Sequence, residues 1–367
     1  MVTILTGLLV VSTIVYGIYT LIITWGLLFP VTRPTRSDHP SVAVVIAARN
    51  EEANLADLLS DLVAQNYAGQ LDIYIGNDRS TDGTHSILET FASKHAQIHP
   101  VHINETSDQM TPKKNALTAC MRKTTAEIII STDADCRVGE NWVRSAVSHM
   151  TGDTGILVGY SQVQGDSFFQ KYQALDFVGI MVANAGIMSR GPAWSGSGQN
   201  LAYRRSAFTD IGGFNEVATK VSGDDVFLVQ TIPLRTGLKA KFNFDRDHFV
   251  KTLPLESVGA FLNQRIRWSS NSKGLEQSDP LFFGFLLSAF LTNFIILVTV
   301  VLGFWTPWLG VCIAGKFLYE GSVILAGAKR FGYGSLLPLF PVWFLLQPFY
   351  ISYVGLLGLR GKFSWKV

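Results

Sequence analysis

The run from Ile4 to Phe29 contains no charged side chain, only apolar residues, a few hydroxyls and glycines. A helix needs roughly 20 residues to cross a hydrocarbon layer of about 30 Å, so this run is long enough to span a bilayer. A cleaved export signal would show a basic stretch ahead of a shorter apolar core; neither is present, and an uncleaved anchor is expected. Arg33 and Arg36 follow directly, and by the positive-inside rule they hold the next segment in the cytoplasm and the N-terminus outside. The C-terminal third is apolar again, with expected spans near 281–304, 309–328 and 336–359. Lys329 and Arg330, and then Arg360, Lys362 and Lys366, all favour the cytoplasm, which a single crossing between the two groups does not allow. Pro338, Pro341 and Pro348 point to a broken or re-entrant last segment, tolerated only where it packs against protein. Lys316 and Glu320 are spaced to pair across one helical turn; a helix end at the interface is the plainer alternative.

Composition agrees with a chain built for lipid. Of its 367 residues 48% are apolar and only 16% charged, with a mean hydropathy of +0.25. A net charge of +2 lacks the basic excess of a nucleic-acid-binding surface. Cys120, Cys136 and Cys312 are too few and too scattered for a disulfide framework or a CxxC zinc site, and an odd count suits a reducing compartment.

Residues 41–251 alternate short β-rich runs with amphipathic stretches, the pattern of an α/β domain with a mainly parallel sheet and helices on both faces. The expected organisation is a membrane helix in 1–30, a linker in 31–40, the cytosolic domain in 41–251, an interfacial helix in 252–280 and a membrane region in 281–367. The continuous apolar run 42–48 suits a strand buried on both faces. Asn50 is placed to cap a helix that turns Leu55, Leu58, Leu59 and Leu62 inward. Further strands are expected at 71–76, 98–103, 127–131 and 200–204. In open α/β sheets ligands bind beyond the carboxyl ends of strands, so Asp78, Asp133 and Asp135 should share one edge. A lone Asp-x-Asp is weak evidence, since most strand-end aspartates serve turns or caps.

Six elements occur in order: 48–52 (Ala-Arg-Asn-Glu-Glu), 77–84 (Asn-Asp-Arg-Ser-Thr-Asp-Gly-Thr), 113–117 (Lys-Lys-Asn-Ala-Leu), Asp133-Ala134-Asp135, Asp224-Asp225, and 264–268 (Gln-Arg-Ile-Arg-Trp). With them the sequence resembles the membrane-bound family-2 glycosyltransferases of the GT-A, nucleotide-diphospho-sugar transferase fold, the group of cellulose synthase, hyaluronan synthase and ceramide glucosyltransferase. The resemblance covers roughly residues 41–274, and the Q-x-x-R-W signature with the preceding acidic pair is its most specific part. Three places depart from the family pattern: Lys114-Asn115 stands where small residues are common, Ala47 where proline is, and Asp224 where glutamate is.

The resemblance implies a role for each element. A nucleotide-sugar donor carries a diphosphate whose charge grows as the glycosidic bond breaks, so its site needs a metal or cations. Asp135 would hold Mg2+ or Mn2+, with Asp133 meeting the ribose or a metal-bound water. Asp78 would accept the uracil imide N–H, with Glu51 beside it. Lys113 matches the family's diphosphate-binding lysine, although Lys114 could serve instead. Asp225 would be the general base of an inverting transfer, with Asp224 as its neighbour or as a helix cap. Gln264 and Arg267 would reach the donor while Trp268 offers a flat face to a sugar or acceptor; Trp and Arg ahead of a span are also ordinary interface anchors. The glycine-rich stretch 194–200 is either an acceptor loop or a plain connection. The stretches 168–190 and 258–270 fit both interfacial and core helices.

The expected activity is transfer of one sugar from a UDP-sugar to a lipid or lipid-linked acceptor at the cytosolic face of the cell membrane. A processive polysaccharide synthase is the near alternative, disfavoured because three or four spans leave little room for a channel in one protomer. An inactive membrane scaffold is a second class, against which the complete acidic set speaks; a transporter is a third, against which the want of inverted repeats of spans and the long cytosolic insert speak. The oligomeric state, the sugar and the acceptor are not encoded in any motif.

Overall fold

A computed structural model describes residues 2–31, 35–271 and 279–360 of the chain. Arg33, Lys362 and Lys366, used above to orient the ends, lie outside the described residues.

The order of elements follows the expected alternation. Helix α1 (Val2–Leu28) precedes β1 (Val42–Ala48), α2 (Leu55–Val63), β2 (Leu71–Asp78), α3 (Thr84–Lys94), β3 (Ile98–Ile103), α4 (Pro112–Met121) and β4 (Ile128–Ser131). Next come β5 (Cys136–Val138), α5 (Trp142–His149), β6 (Thr154–Val158), β7 (Ser161–Val163), α6 (Phe168–Met188), β8 (Leu201–Arg204), α7 (Arg205–Asp210) and α8 (Asp224–Thr236). The chain continues through β9 (Lys239–Phe242), β10 (Val250–Thr252), α9 (Val258–Ser270), α10 (Pro280–Val301), α11 (Pro307–Phe331) and α12 (Phe340–Arg360).

These elements form two compact units, one of Val31–Val163 with Met188–Leu253, the other of Met1–Pro30, Gln164–Ile187 and Pro254–Val367. The first is the α/β unit. Its seven-stranded sheet runs β3-β2-β1-β4-β8-β6-β9, beside a three-stranded sheet β5-β10-β7. In the large sheet β1 pairs in parallel with β2 and β4, β2 with β3, and β6 with β9, while β8 is antiparallel to β4 and β6. Val42, Val44 and Ile46 of β1, Ile73 and Ile75 of β2 and Ile128 and Ile130 of β4 are wholly buried, as the unbroken apolar runs require. Leu55, Leu58, Leu59 and Leu62 of α2 close one side of that core, each contributing about 1.5–3 kcal/mol by leaving water. Parallel pairing brings the carboxyl ends of β1, β2 and β4 to one edge. Antiparallel β8 begins there too, because Leu201 lies opposite Ser131.

The second unit is helical. Among the described residues four stretches, Val2–Leu28, Pro280–Val301, Pro307–Phe331 and Gly334–Arg360, are long and apolar enough to cross a membrane. Helix α1 packs on α10 and α11, and α12 on α9 and α10. Without a hydrophobic driving force in lipid, such contacts rely on close backbone approach at small residues. Gly186 of α6 is one: a β-carbon there would stand 2.4 Å from the Ile23 carbonyl oxygen of α1. Helix α6, mainly apolar, groups with these helices rather than with the α/β unit that precedes it in sequence. The prolines of the last segment divide their effects. Pro338 falls in a 3-10 stretch, Gly334–Leu339, and Pro348 sits inside a continuous α12. The break therefore comes before the helix, not within it.

Candidate active site

The loops after β1 and β2 brace each other. Asn50 adopts a left-handed conformation (φ 56°), and its side-chain oxygen accepts the Thr81 N–H at 2.8 Å. Glu52 accepts the Gly83 N–H at 2.6 Å, and the Glu51 N–H donates to Thr84 Oγ1 at 2.8 Å. Asn50 thus does not cap α2, as its position in sequence suggested. Its side chain is taken by the neighbouring loop, and Asn54 stands at the N-cap instead. Glu51 is held by the amide of Asn54 at 3.3 Å. Asp78, buried at the end of β2, receives Arg79 in a two-point contact at 2.8 and 3.0 Å, with Arg49 4.0 Å away. Arg79 is left-handed as well (φ 52°), a cost borne where the chain must turn sharply beneath a charged group.

Farther along the same edge, one cleft is lined by Lys113, Asp133, Gly198, Asp224 and Asp225, residues from four separate stretches of sequence. Lys113 Nζ lies 2.7 Å from Asp133 Oδ1. Burial opposes its charge, but Asp133, Asp224 and Asp225 outweigh that and hold the ammonium well above the usual lysine range. Lys114 does not compete for this role: it is buried, and its Nζ donates to Thr111 Oγ1 and to the carbonyl of Lys220, in the loop leading to Asp224. Adjacent residues at the start of a helix point about 100° apart, so one lysine faces the cleft and the other anchors its rim.

Asp224 and Asp225 open α8 after Gly223, whose φ of 87° favours glycine. Asp225 Oδ1 accepts the Val226 N–H at 2.8 Å and Oδ2 the Gly198 N–H at 3.1 Å. Burial and the Asp224 carboxylate push Asp225 up to about 6, against an ordinary value of 3.8. That is suited to a group that must take a proton near neutral pH. The Gly198 contact escaped sequence reasoning; the glycines of 194–200 marked the loop but not its partner. Asp135 lies between β4 and β5, and burial, then the Asp133 carboxylate, raise it above the ordinary range. Two oxygen-donor carboxylates fit a hard divalent cation, and Asp133 and Asp135 are the residues that would hold one.

Gln264, Arg267 and Trp268 lie on α9 of the helical unit. Between them stands Arg265, buried, with Nε 2.8 Å from Asp176 Oδ2 of α6. Its guanidinium is also 4.3 Å from the Trp268 ring and 4.6 Å from that of Phe261. Gln264 accepts from Arg265, while Trp343 and Tyr350 of α12 donate to Asp176 at 3.4 and 3.3 Å. Neither Asp176 nor Arg265 was read from the motifs. The available signal was the lone carboxylate of a mainly apolar helix, which is costly unless paired.

The model for glycosyl transferase family 21 matches residues 5–366. The chain belongs to that family. Family 21 membership fits the membrane-bound, family-2-like resemblance carried by the ordered motifs. A beta-monoglucosyldiacylglycerol synthase of Synechocystis sp. is 28% identical over 188 residues, 48% of this chain and 38% of that protein. An N-acetylglucosaminyltransferase of Azorhizobium caulinodans is 23% identical over 245 residues, 64% of this chain and 60% of that protein. The matched stretches thus fall short of two thirds of these relatives' own lengths. A mannosyltransferase from Pyrobaculum calidifontis, in complex with GDP-Man and Mn2+, has a TM-score of 0.65 at 19% identity over 98% of this chain and 99% of that one. This likeness bears out the expected GT-A fold.

Proposed function

We propose that this family 21 chain is an integral membrane, metal-dependent, inverting glycosyltransferase that moves one sugar from a UDP-sugar to a lipid or lipid-linked acceptor, with its α/β unit on the cytosolic side. The observation that carries the reading is the Lys113, Asp133, Asp224 and Asp225 cleft, where one ammonium meets several carboxylates and one carboxylate is tuned to near 6. The relatives named as beta-monoglucosyldiacylglycerol synthases favour a glycerolipid acceptor.

In this reading Asp225 takes the proton of the acceptor hydroxyl as that oxygen bonds to the anomeric carbon. The bond from that carbon to the diphosphate oxygen breaks on the opposite face, and the nucleoside diphosphate leaves with the electron pair. The Gly198 and Val226 N–H groups fix the Asp225 carboxylate so that its orientation is set before the acceptor arrives. Lys113, released from Asp133 or sharing it, faces the charge that grows on the leaving group. A divalent ion held by Asp133 and Asp135 would add Lewis-acid neutralisation of the diphosphate. Asp78 and Glu51 are assigned to the nucleoside, where Arg79 would have to share its hold on Asp78 with a base. Gln264, Arg267 and Trp268 are assigned to donor and acceptor binding on the motif alone.

The test is purified full-length protein in lipid vesicles, supplied with Mn2+ or Mg2+, a panel of UDP-sugars with GDP-Man, and diacylglycerol or extracted lipid. Mass spectrometry should find a new lipid carrying one added sugar from a UDP donor. Donor breakdown with no new glycolipid would sink the lipid acceptor, and products carrying long sugar chains would sink single transfer.

A further inference from the structure

Apart from the cleft, a second set of metal-type ligands gathers where α3 meets β3. His85 and Glu89 stand four residues apart on α3 and so share one face, and His102 comes from β3. One ligand atom from each of the three lies within 4.8 Å of the others. His102 Nε2 is 2.8 Å from Glu89 Oε1, and the His85 and His102 rings are 4.5 Å apart between centroids. Nδ1 of His102 meets the side-chain amide of Asn77 at 3.4 Å. The amide donates to Nδ1, which fixes the ring with its Nε2–H directed at Glu89, and an ion binding at Nε2 takes the place of that proton. The ligand set is exposed, so an ion reaches it from water and the three donors close to about 2.0–2.2 Å around it.

The chemistry of the donors separates this place from the cleft. Two imidazoles and one carboxylate, with room for water in a fourth position, suit Zn2+ or a similar borderline ion; the carboxylate pair Asp133 and Asp135 suits Mg2+ or Mn2+. The location gives such an ion a structural effect. β3 is an edge strand of the large sheet, and Asn77 is buried immediately before Asp78, with its side-chain oxygen receiving the Ser80 N–H at 3.4 Å. We propose that His85, Glu89 and His102 form a second divalent-metal site, selective for Zn2+-like ions, that clips α3 to β3 and steadies the turn after β2.

Full-length protein stripped with EDTA and held in saturating Mg2+ should still bind one equivalent of Zn2+ by calorimetry. Co2+ in its place should give the intense visible bands of a low-coordinate nitrogen and oxygen site. His85→Asn, Glu89→Gln and His102→Asn should each weaken Zn2+ binding at least tenfold while leaving Mn2+-supported sugar transfer unchanged. Zn2+ should raise the Tm of the native protein and leave that of the His85→Asn/His102→Asn double variant unmoved, and equal Tm values without Zn2+ would verify that the variant folds. Zn2+ binding that Mg2+ displaces, or that all three substitutions leave intact, would overturn the site. Neither outcome depends on which sugar or acceptor the enzyme uses.

Discussion

In the helical unit each of two buried cations sits against one carboxylate: Lys316 with Glu320 and Arg265 with Asp176, both at 2.8 Å. Glu320 also accepts from Tyr16 of α1 at 2.9 Å, and Asp176 takes two donors from α12, so the lone pairs are shared among fixed neighbours. In the α/β unit the arrangement is unbalanced. Asp133, Asp135, Asp224 and Asp225 are served by Lys113, and two of them are pushed above their ordinary range. Paired charges fix how helices pack; unbalanced charges oppose folding and persist where a ligand completes them. The contrast separates the paired charges of the helical unit from the unbalanced ones of the proposed donor site.

The largest effect that could break this division is at Asp225. Asp225→Asn should lower transfer by about 10²–10⁴-fold, with donor binding retained, because a general base is removed and its shape is kept. Equal turnover in single-turnover assays would move the base elsewhere, with Asp224 the next candidate. On the structural side, Arg265→Leu should cost about 3–5 kcal/mol by leaving Asp176 buried and unpaired. The double variant Asp176→Leu/Arg265→Leu should recover most of that loss in detergent thermal-unfolding scans. A double variant as unstable as the single one would show that the pair does more than balance charge.

Asp135→Ala should abolish the enhancement of UDP binding by Mn2+ in calorimetry, and Asp133→Ala should weaken it less. The smallest effect concerns pH. Asp225 works ionised, so kcat/KM should fall as pH drops through about 6. Asp224 contributes to that raised value, so Asp224→Asn should move the acid limb to lower pH. The sign for stability is the reverse of the usual carboxylate case. A native pKa above the unfolded value means that the folded state binds the proton more tightly, so Asp225 costs stability progressively as pH rises from about 3.8 through about 6. An acid limb that stays in place in Asp224→Asn would detach Asp224 from the tuning of the base.

Several of these features were readable from order along the chain, others only from space. The strands at 42–48 and 98–103 were placed to the residue, since an apolar run bounded by turn residues is a local signal. The Lys316 and Glu320 pair was likewise within reach, because four residues on a helix make neighbours. Asn50 was misread for the opposite reason. Its cap position is local, but the Thr81 N–H that claims its side chain comes from 31 residues away. The different surroundings of Lys113 and Lys114 had the same character: the Lys220 carbonyl that takes Lys114 lies 106 residues on.

The sequence by itself determined the apolar helices, the succession of strands along the chain up to β4 and the family-2-like resemblance, because hydropathy, periodicity and motif spacing are properties of short windows. Tertiary structure decided which charges meet. Asp225 finds the Gly198 N–H, Arg265 finds Asp176 and Glu320 finds Tyr16 across separations of 27, 89 and 304 residues. A charge's partner, and with it the proton affinity that chemistry depends on, is set by which segments the sheet and the helix contacts bring within about 3 Å, and no window of sequence holds both members of such a pair.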